Sequence, residues 1–249
     1  MELSKAKLSV YSSLSSAKMR RRHGLFIAEG EKAVADTLGS FEAVSVVKLR
    51  GATFGFDPGK AAVFETGEPE MKKISNLVTP SDVAGIFRLP EEEISLSADS
   101  GSLYLMLDGV RDPGNLGTII RTCHWFGVRT IFASCDSADV FNPKVVQATM
   151  GSLGHVKVIY CDLEEVIAAN PGMPVYGTLL EGENIYQAPL SQGGFIVMGN
   201  EGKGISDQVK ALLTRPLNIP PASSDHGESL NVAIATAVAL SQFRCRQAE

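Results

Sequence analysis

The sequence predicts an α/β fold: a parallel sheet with helices on both faces, preceded by a small N-terminal α/β domain. Three observations carry that expectation. From residue 103 onward, short β-rich runs alternate strictly with helical patterns. The first run, Leu103 to Leu107, is wholly apolar, as a strand buried on both faces requires. Between the halves, Pro90 is followed by EEEISLSADSGS, whose Glu, Ser, Asp and Gly are linker chemistry. The expected organisation is residues 1–92 as one domain, 93–102 as linker and 103–249 as the larger domain.

In the first domain, Leu25 to Ile27 reads as a strand and Glu29 to Leu38 as a helix with acids in its first turn. Val44 to Leu49 and Ala61 to Phe64 read as strands, Met71 to Leu77 as a short helix, and Ala84 to Leu89 as the last strand. Ahead of them, residues 1–23 carry Lys5, Lys7, Lys18, Arg20, Arg21 and Arg22 against one acid, Glu2. Such a basic arm suits either a phosphate contact or a solvated helix face.

In the second domain, the strand 103–107 ends in Asp108-Gly109-Val110-Arg111-Asp112-Pro113-Gly114-Asn115-Leu116-Gly117. The next helix shows Ile119, Ile120, Cys123 and Phe126 at helical spacing, and Gly127 stops it. Strands are expected at 130–133, 156–160, 175–179, 195–198 and 217–219, with helices from Pro143, Leu163, Ser206 and Leu230. Pro220 and Pro221 end the last strand, since neither can donate to a ladder. Ligands of such sheets bind at the carboxyl ends of the strands. The loops 108–117, 199–205 and 219–229 fall there.

Bulk properties narrow the classes. With 249 residues, a core of ordinary size is available. No run of eighteen apolar residues exists, so no membrane span is expected. Cys123, Cys135, Cys161 and Cys245 lack Cys-x-x-Cys spacing and read as reduced thiols of a cytoplasmic protein. The net charge of −5 argues weakly against broad nucleic-acid binding. Gly199 to Gly204 is not a Walker A loop, and no Gly-x-Gly-x-x-Gly follows the first strand of the sheet. A nicotinamide site is therefore disfavoured. No Ser sits in a Gly-x-Ser-x-Gly elbow, and the histidines share no metal-ligand spacing, so no metal is expected. What remains is a polar set in strand-end loops: Asn115, Arg121, Glu201, Ser229 and Asn231.

Three segments together resemble the motifs of the SpoU/TrmH family of RNA ribose methyltransferases, in the SPOUT class. They are Asn115 to Thr122 (NLGTIIRT), Ile196 to Ile205 (IVMGNEGKGI), and Leu217 to Pro220 (LNIP) with Glu228 to Ala233 (ESLNVA). The stretch Arg22 to Gly30 (RHGLFIAEG) is similar to the start of the family's substrate-binding domain. The loop 221–227 is longer and more polar than the family's usual turn.

The resemblance implies a C-terminal deep trefoil knot and transfer of a methyl group from S-adenosylmethionine to a ribose 2′-OH in RNA. Ribosomal RNA is the expected substrate, with tRNA, or a non-catalytic RNA-binding module, as alternatives. It implies cofactor contact at Gly199, Ile219 and Leu230, with Thr178 and Leu179 beside them. It also implies a catalytic Arg121 positioned by Asn115, Glu201, Ser229 and Asn231. Arg20, Arg21 and Arg22 would join Arg121 in holding RNA, and the chain would form a homodimer. The final helix (Val232, Ile234, Ala235, Val238, Ala239) could supply dimer surface or core.

Overall fold

The computed structural model describes residues 1–91, 94–223, 225, 227 and 229–245. Of the segments singled out above, Glu228, His226, Ser224 and the first linker residue lie outside that set. The chain forms two compact units. One comprises Met1–Glu92 with Asp139–His155, the other Glu93–Ala138 with Val156–Glu249. The sequence reading gave all of 103–249 to one domain; in the structure 139–155 joins the first unit.

The first unit begins with helices α1 (Lys5–Ser12) and α2 (Ala17–His23), followed by β1 (Leu25–Glu29) and α3 (Glu31–Leu38). Then come β2 (Ala43–Leu49), β3 (Ala62–Thr66), α4 (Glu68–Ile74) and β4 (Val83–Arg88). The sheet order is β1-β4-β2-β3, with β4 antiparallel to both neighbours and β2 parallel to β3. The basic N-terminal segment is no loose arm. Tyr11 and Leu14 are buried in the core with Leu25, Ile27, Val47 and Ile86. The Tyr11 hydroxyl pairs with the Ser45 hydroxyl at 2.8 Å. Burying a residue of that size stabilises by about 1.5–3 kcal/mol, so these helices are part of the unit.

The excursion at 139–155 completes the same unit. The ring of Phe141 lies 4.8 Å from Phe26 and meets Phe41 edge-on at 6.0 Å. Helix α6 (Pro143–Ala148), capped by Asn142, buries Val145 and Val146, and a 3-10 turn follows at Ser152–His155.

In the second unit, β5 (Leu103–Asp108), α5 (Pro113–Trp125) and β6 (Thr130–Ala133) precede the excursion. After it come β7 (Lys157–Tyr160), α7 (Leu163–Ala169), β8 (Val175–Asn184) and β9 (Gly194–Gly199). The chain continues with α8 (Asp207–Lys210), β10 (Arg215–Asn218) and α9 (Val232–Cys245). The sheet order is β10-β8-β9-β5-β6-β7, and all five neighbouring pairs are parallel. Alternate residues serve opposite faces, as strand geometry demands. Met106, Val175, Phe195 and Val197 pack with Leu163 and Val166 of α7 and Val209 of α8. On the other face Tyr176 meets Phe243 of α9 at 4.8 Å, edge to face. Helix α9 also satisfies the end of α5: Arg244 Nε donates to the Phe126 carbonyl at 2.8 Å. A cation there complements the negative end of the helix dipole. Among the described residues, no helix is long and apolar enough to cross a membrane.

Candidate functional site at the strand ends

All strands of the larger sheet run the same way, so β5, β8, β9 and β10 deliver their following loops to one edge. Helix α5 starts there. Asp112 caps it by accepting from the Asn115 amide at 2.8 Å, and Pro113 occupies the first turn where its missing N–H costs nothing. This places Asn115 at the mouth of the loop and buries Leu116, Ile119, Ile120 and Cys123 beneath it.

Asn115 is the centre of a hydrogen-bond relay between three loops. Asn231 Oδ1 accepts from the amides of Ala233 and Ile234, capping α9. Its side-chain nitrogen must then be the outward donor, and it donates to Asn115 Oδ1 at 2.9 Å. That fixes the Asn115 amide in turn, and Asn115 Nδ2 donates to Glu201 Oε1 at 2.9 Å. The polarity is set by the helix cap and propagates through both amides to the carboxylate. Asn115, Glu201 and Asn231, named from the sequence, are thus brought together. Ser229 lies two residues before Asn231 and is exposed.

A third asparagine, not singled out from the sequence, fixes the middle loop. Asn200 Nδ2 donates to the Gly109 carbonyl at 2.7 Å, and its Oδ1 accepts from the amides of Gly202 and Lys203. Asp108 holds the far end of that loop by accepting from the Ser206 amide at 2.7 Å. The Gly199 position needs its glycine, because a Cβ there would run into the backbone of Gly204 and Ile205. Loop 109–112 is pinned from its other side. The Gly109 amide donates to Ser134 Oγ, Ser134 to Asp136, and Arg111 pairs with Asp136 at 2.6 Å. The Arg111 guanidinium, followed by Ser134, holds the Asp136 carboxyl below the usual range.

The cofactor-side candidates gather along β8 and its neighbours. Pro216 pairs with Gly177, but the next residue, Leu217, pairs with Glu183. Residues 178–182 are therefore looped out of the β10 ladder. Thr178 turns its hydroxyl to the Val197 carbonyl at 3.2 Å. Asn218 Nδ2 donates to the carbonyls of Leu179 and Leu180 at 3.2 and 2.6 Å. Gly182 lets the Leu217 backbone pass, for a Cβ there would sit 2.8–2.9 Å from its backbone atoms. Asn218 and Gly182 are further residues the sequence reading missed. Asn218 stands inside a quoted segment, so its amide chemistry was the available signal; for Gly182 there was none. Ile219, half-buried, directly follows β10, and Leu230, 51% exposed, precedes Asn231.

The arginines divide. Arg121 is exposed on α5, on the face shared by Gly114, Thr118 and Trp125, and makes no hydrogen bond or ion pair among the described residues. Six residues past Asn115, it lies about 9 Å further along the helix axis. Arg21 and Arg22 are exposed on α2. Arg20, expected to hold RNA, is 1% exposed and cannot. Its guanidinium pairs with Asp139 at 2.5 Å and donates to the carbonyls of Leu14 and Ser15. Composition marks an arginine as surface; here loop carbonyls and a carboxylate far along the chain hold it inside.

Comparison with known proteins places these loops in context. The profile of the SpoU rRNA methylase family matches residues 102–241. Over 96% of both chains, the sequence is 30% identical to the 23S rRNA (guanosine(2553)-2′-O)-methyltransferase RlmP of Bacillus subtilis. A putative RNA methyltransferase of the TrmH family from Porphyromonas gingivalis has 40% identity and a TM-score of 0.86, covering 99% of this chain and 100% of its own. An AdoMet-bound rRNA methyltransferase from Sinorhizobium meliloti has 29% identity and a TM-score of 0.83, covering 99% and 97%.

Proposed function

We propose, from the premise that this chain belongs to the SpoU rRNA methylase family, that it methylates a ribose 2′-OH of ribosomal RNA using S-adenosylmethionine. The fold is that of the SPOUT methyltransferases, a parallel sheet flanked by helices and ending in a C-terminal knot. The single observation that carries the functional reading is the relay Asn231–Asn115–Glu201, which ties three strand-end loops into one rigid mouth.

The residues present suit the cofactor. An adenosine needs an apolar slot with backbone polar groups at its rim. Leu179, within the 178–182 stretch that has left the β10 ladder, and Ile219, directly after β10, are both half-buried. Gly199, Gly202 and Gly204 carry no side chain, which leaves the backbone of the 199–204 loop open to close approach at those positions. When bound, the cofactor would supply an electrophilic methyl group carried on sulfonium.

The protein's share is alignment and charge. Arg121 is a poor base, because a guanidinium does not give up its proton in proteins. Exposed and without a partner among the described residues, it is suited to grip an RNA phosphate and to stabilise the negative charge growing on the 2′-oxygen. Asn115, Glu201 and Asn231 hold the loops against which ribose and cofactor meet, and Ser229 lies at the same rim. The test is Arg121→Ala beside Arg121→Lys, with cofactor affinity measured calorimetrically. Turnover should fall at least a hundredfold in Arg121→Ala, with cofactor affinity kept. Near-normal turnover would refute the role.

Arg21 and Arg22, with Lys18, form the basic outer face of α2 that would meet the RNA backbone. Because Tyr11 and Leu14 are core residues, removing the N-terminal helices would unfold the first unit. Charge reversal, Arg21→Glu with Arg22→Glu, is the clean perturbation. It should weaken RNA binding and flatten its salt dependence.

We further propose that the active form is a homodimer in the cytoplasm. Trp125 is 86% exposed at the end of α5, and Ile234 is 53% exposed on α9, which packs against α5. A second copy of this chain would cover both. Of the final helix, Val232 and Ala239 are core, so only part of it is available for pairing. Sedimentation of Trp125→Asp should show a monomer where the parent sediments as a dimer.

A further inference from the structure

The loop joining β2 to β3 has no role in the site described above, yet it is built with care. It runs from Arg50 to Lys60 and carries two phenylalanines, Phe54 and Phe56. Their rings stack nearly parallel, 17° apart, with centroids 4.4 Å from each other. Neither ring is buried; both are half-exposed.

The loop is held rigid. Lys48 Nζ donates to the Ala52 carbonyl at 2.8 Å, and the Ala52 amide to the Leu49 carbonyl at 3.0 Å. The Gly55 amide, between the two rings, donates to Glu31 Oε1 at 2.6 Å. The Gly59 amide donates to Asp57 at 2.9 Å, and the Ala61 amide to the Pro58 carbonyl at 3.1 Å. Gly51 and Gly59 take positive φ, +84° and +59°, at the loop's two ends. Each end also carries an exposed cation: Arg50 before Gly51, which pairs with Glu2 at 3.2 Å, and Lys60 after Gly59. Rings fixed at the surface with a lysine in the same loop suit a ligand with flat faces and negative charge, such as a single-stranded nucleic acid.

We propose that the 50–60 loop is a stacking platform for an unpaired base of the RNA substrate, with Phe54 and Phe56 as the stacking rings and Lys60 on the neighbouring phosphate. It rests on the reading that this protein acts on RNA. It adds a subsite in the first unit that selects unpaired nucleotides, apart from the strand-end mouth in the second. The rival is a loop whose rings serve only its own packing.

The experiment uses the full chain and two probes: a twelve-nucleotide unstructured RNA containing 2-aminopurine, and a blunt RNA duplex of equal length. The variants are Phe54→Leu with Phe56→Leu, which keep apolar bulk but remove the ring faces, and Phe54→Tyr with Phe56→Tyr, which keep them. The parent should bind the single strand with a change in 2-aminopurine emission. The leucine pair should lose about ten- to a hundredfold in single-strand affinity. Its duplex affinity and melting temperature should be unchanged, and the tyrosine pair should bind like the parent. Parental single-strand affinity in the leucine pair overturns the proposal, as does a parent that does not bind the single strand. Methyl transfer to ribosomal RNA is scored separately. If transfer is absent while single-strand binding follows the rings, the enzymatic reading fails and the platform stands.

Discussion

Replacing Asn115 by Asp is a nearly isosteric change that tests the relay by sign as well as size. In the parent, Asn115 Oδ1 accepts from Asn231 and Nδ2 donates to Glu201 Oε1. Aspartate can keep the first bond. It turns the second into two carboxylate oxygens facing each other across the 2.9 Å now spanned by a hydrogen bond. Two unit charges at about 4 Å repel by about 1 kcal/mol in water and about 4 kcal/mol at an effective dielectric near 20. Glu201 is exposed and Asn115 half-buried, so the lower part applies, about 1–2 kcal/mol. Losing the bond itself adds about 1 kcal/mol. The sum, about 2–3 kcal/mol, corresponds to a roughly thirty- to 150-fold loss of S-adenosylmethionine affinity if loop order is what binding requires. Asn115→Ala loses the bond without the repulsion and should fall between. Adding Glu201→Gln to Asn115→Asp supplies an amide donor to the new carboxylate and should restore most of the loss. Calorimetric titration of the four proteins measures the series. If the double variant binds no better than Asn115→Asp, the relay is not what orders the mouth.

Other perturbations follow from the same structure. Arg20→Met strands two carbonyls and the Asp139 carboxylate, and should cost about 2–4 kcal/mol in urea unfolding of the full chain. Gly199→Ala drives a methyl into the Gly204–Ile205 backbone and should abolish cofactor binding or cost about 1–3 kcal/mol of stability, read by titration and melting. The depressed Asp136 carboxyl stabilises the fold above its unfolded pKa of about 3.9, and that contribution vanishes as pH falls through the lower folded value. The stability gap between parent and Asp136→Asn should thus be small, about 0.2–1 kcal/mol, near neutral pH and close on acidification below about pH 4. Iodoacetamide should label exposed Cys135 and Cys245 first and Cys161, pushed up to about 11 by burial, slowly. Cys123, buried and raised further by desolvation, should react only on unfolding; mass mapping reads the order.

The parts of this protein legible in the sequence are those whose causes are local. The strand Leu103–Asp108 announces itself because Leu105, Met106 and Leu107 are all buried, which only a sheet covered on both faces asks of consecutive residues. Helix α5 stops as expected at Gly127, whose φ of +72° is the left-handed turn that glycine favours, but it starts earlier than expected: Asp112 caps it at Pro113, so Asn115 to Gly117, read as loop, are its first turns. Even the site was half-legible: Asn115, Glu201 and Asn231 stand out as amides and acids in strand-end loops, and the structure joins them. Their order of donation was not, because it depends on a helix cap at Asn231 reaching across 116 positions to Asn115.

Arg20 shows where local reasoning breaks down, and why. Six cations in residues 1–23 suggest a solvated, phosphate-seeking surface, and for Arg21 and Arg22 the exposure fits. Whether one of three consecutive arginines is buried depends on helix phase and on what lies opposite. What lies opposite is Asp139, 119 positions away, on a segment that interrupts the larger sheet between β6 and β7. A buried cation without its anion would be intolerable, so the first unit cannot complete its core from residues 1–92 alone. Phe141, Val145 and Val146 supply apolar surface to the same unit, and Asp139 supplies the charge. Expressed by itself, the 1–92 fragment should be loosely folded and gain native stability when residues 139–155 are fused to it. Arg20→Met should partly rescue the fragment even though it harms the full chain, since the cation is then unpaired only in the fragment. A fragment as stable as the intact unit, with Arg20→Met destabilising both alike, would show that the excursion decorates the core instead of completing it.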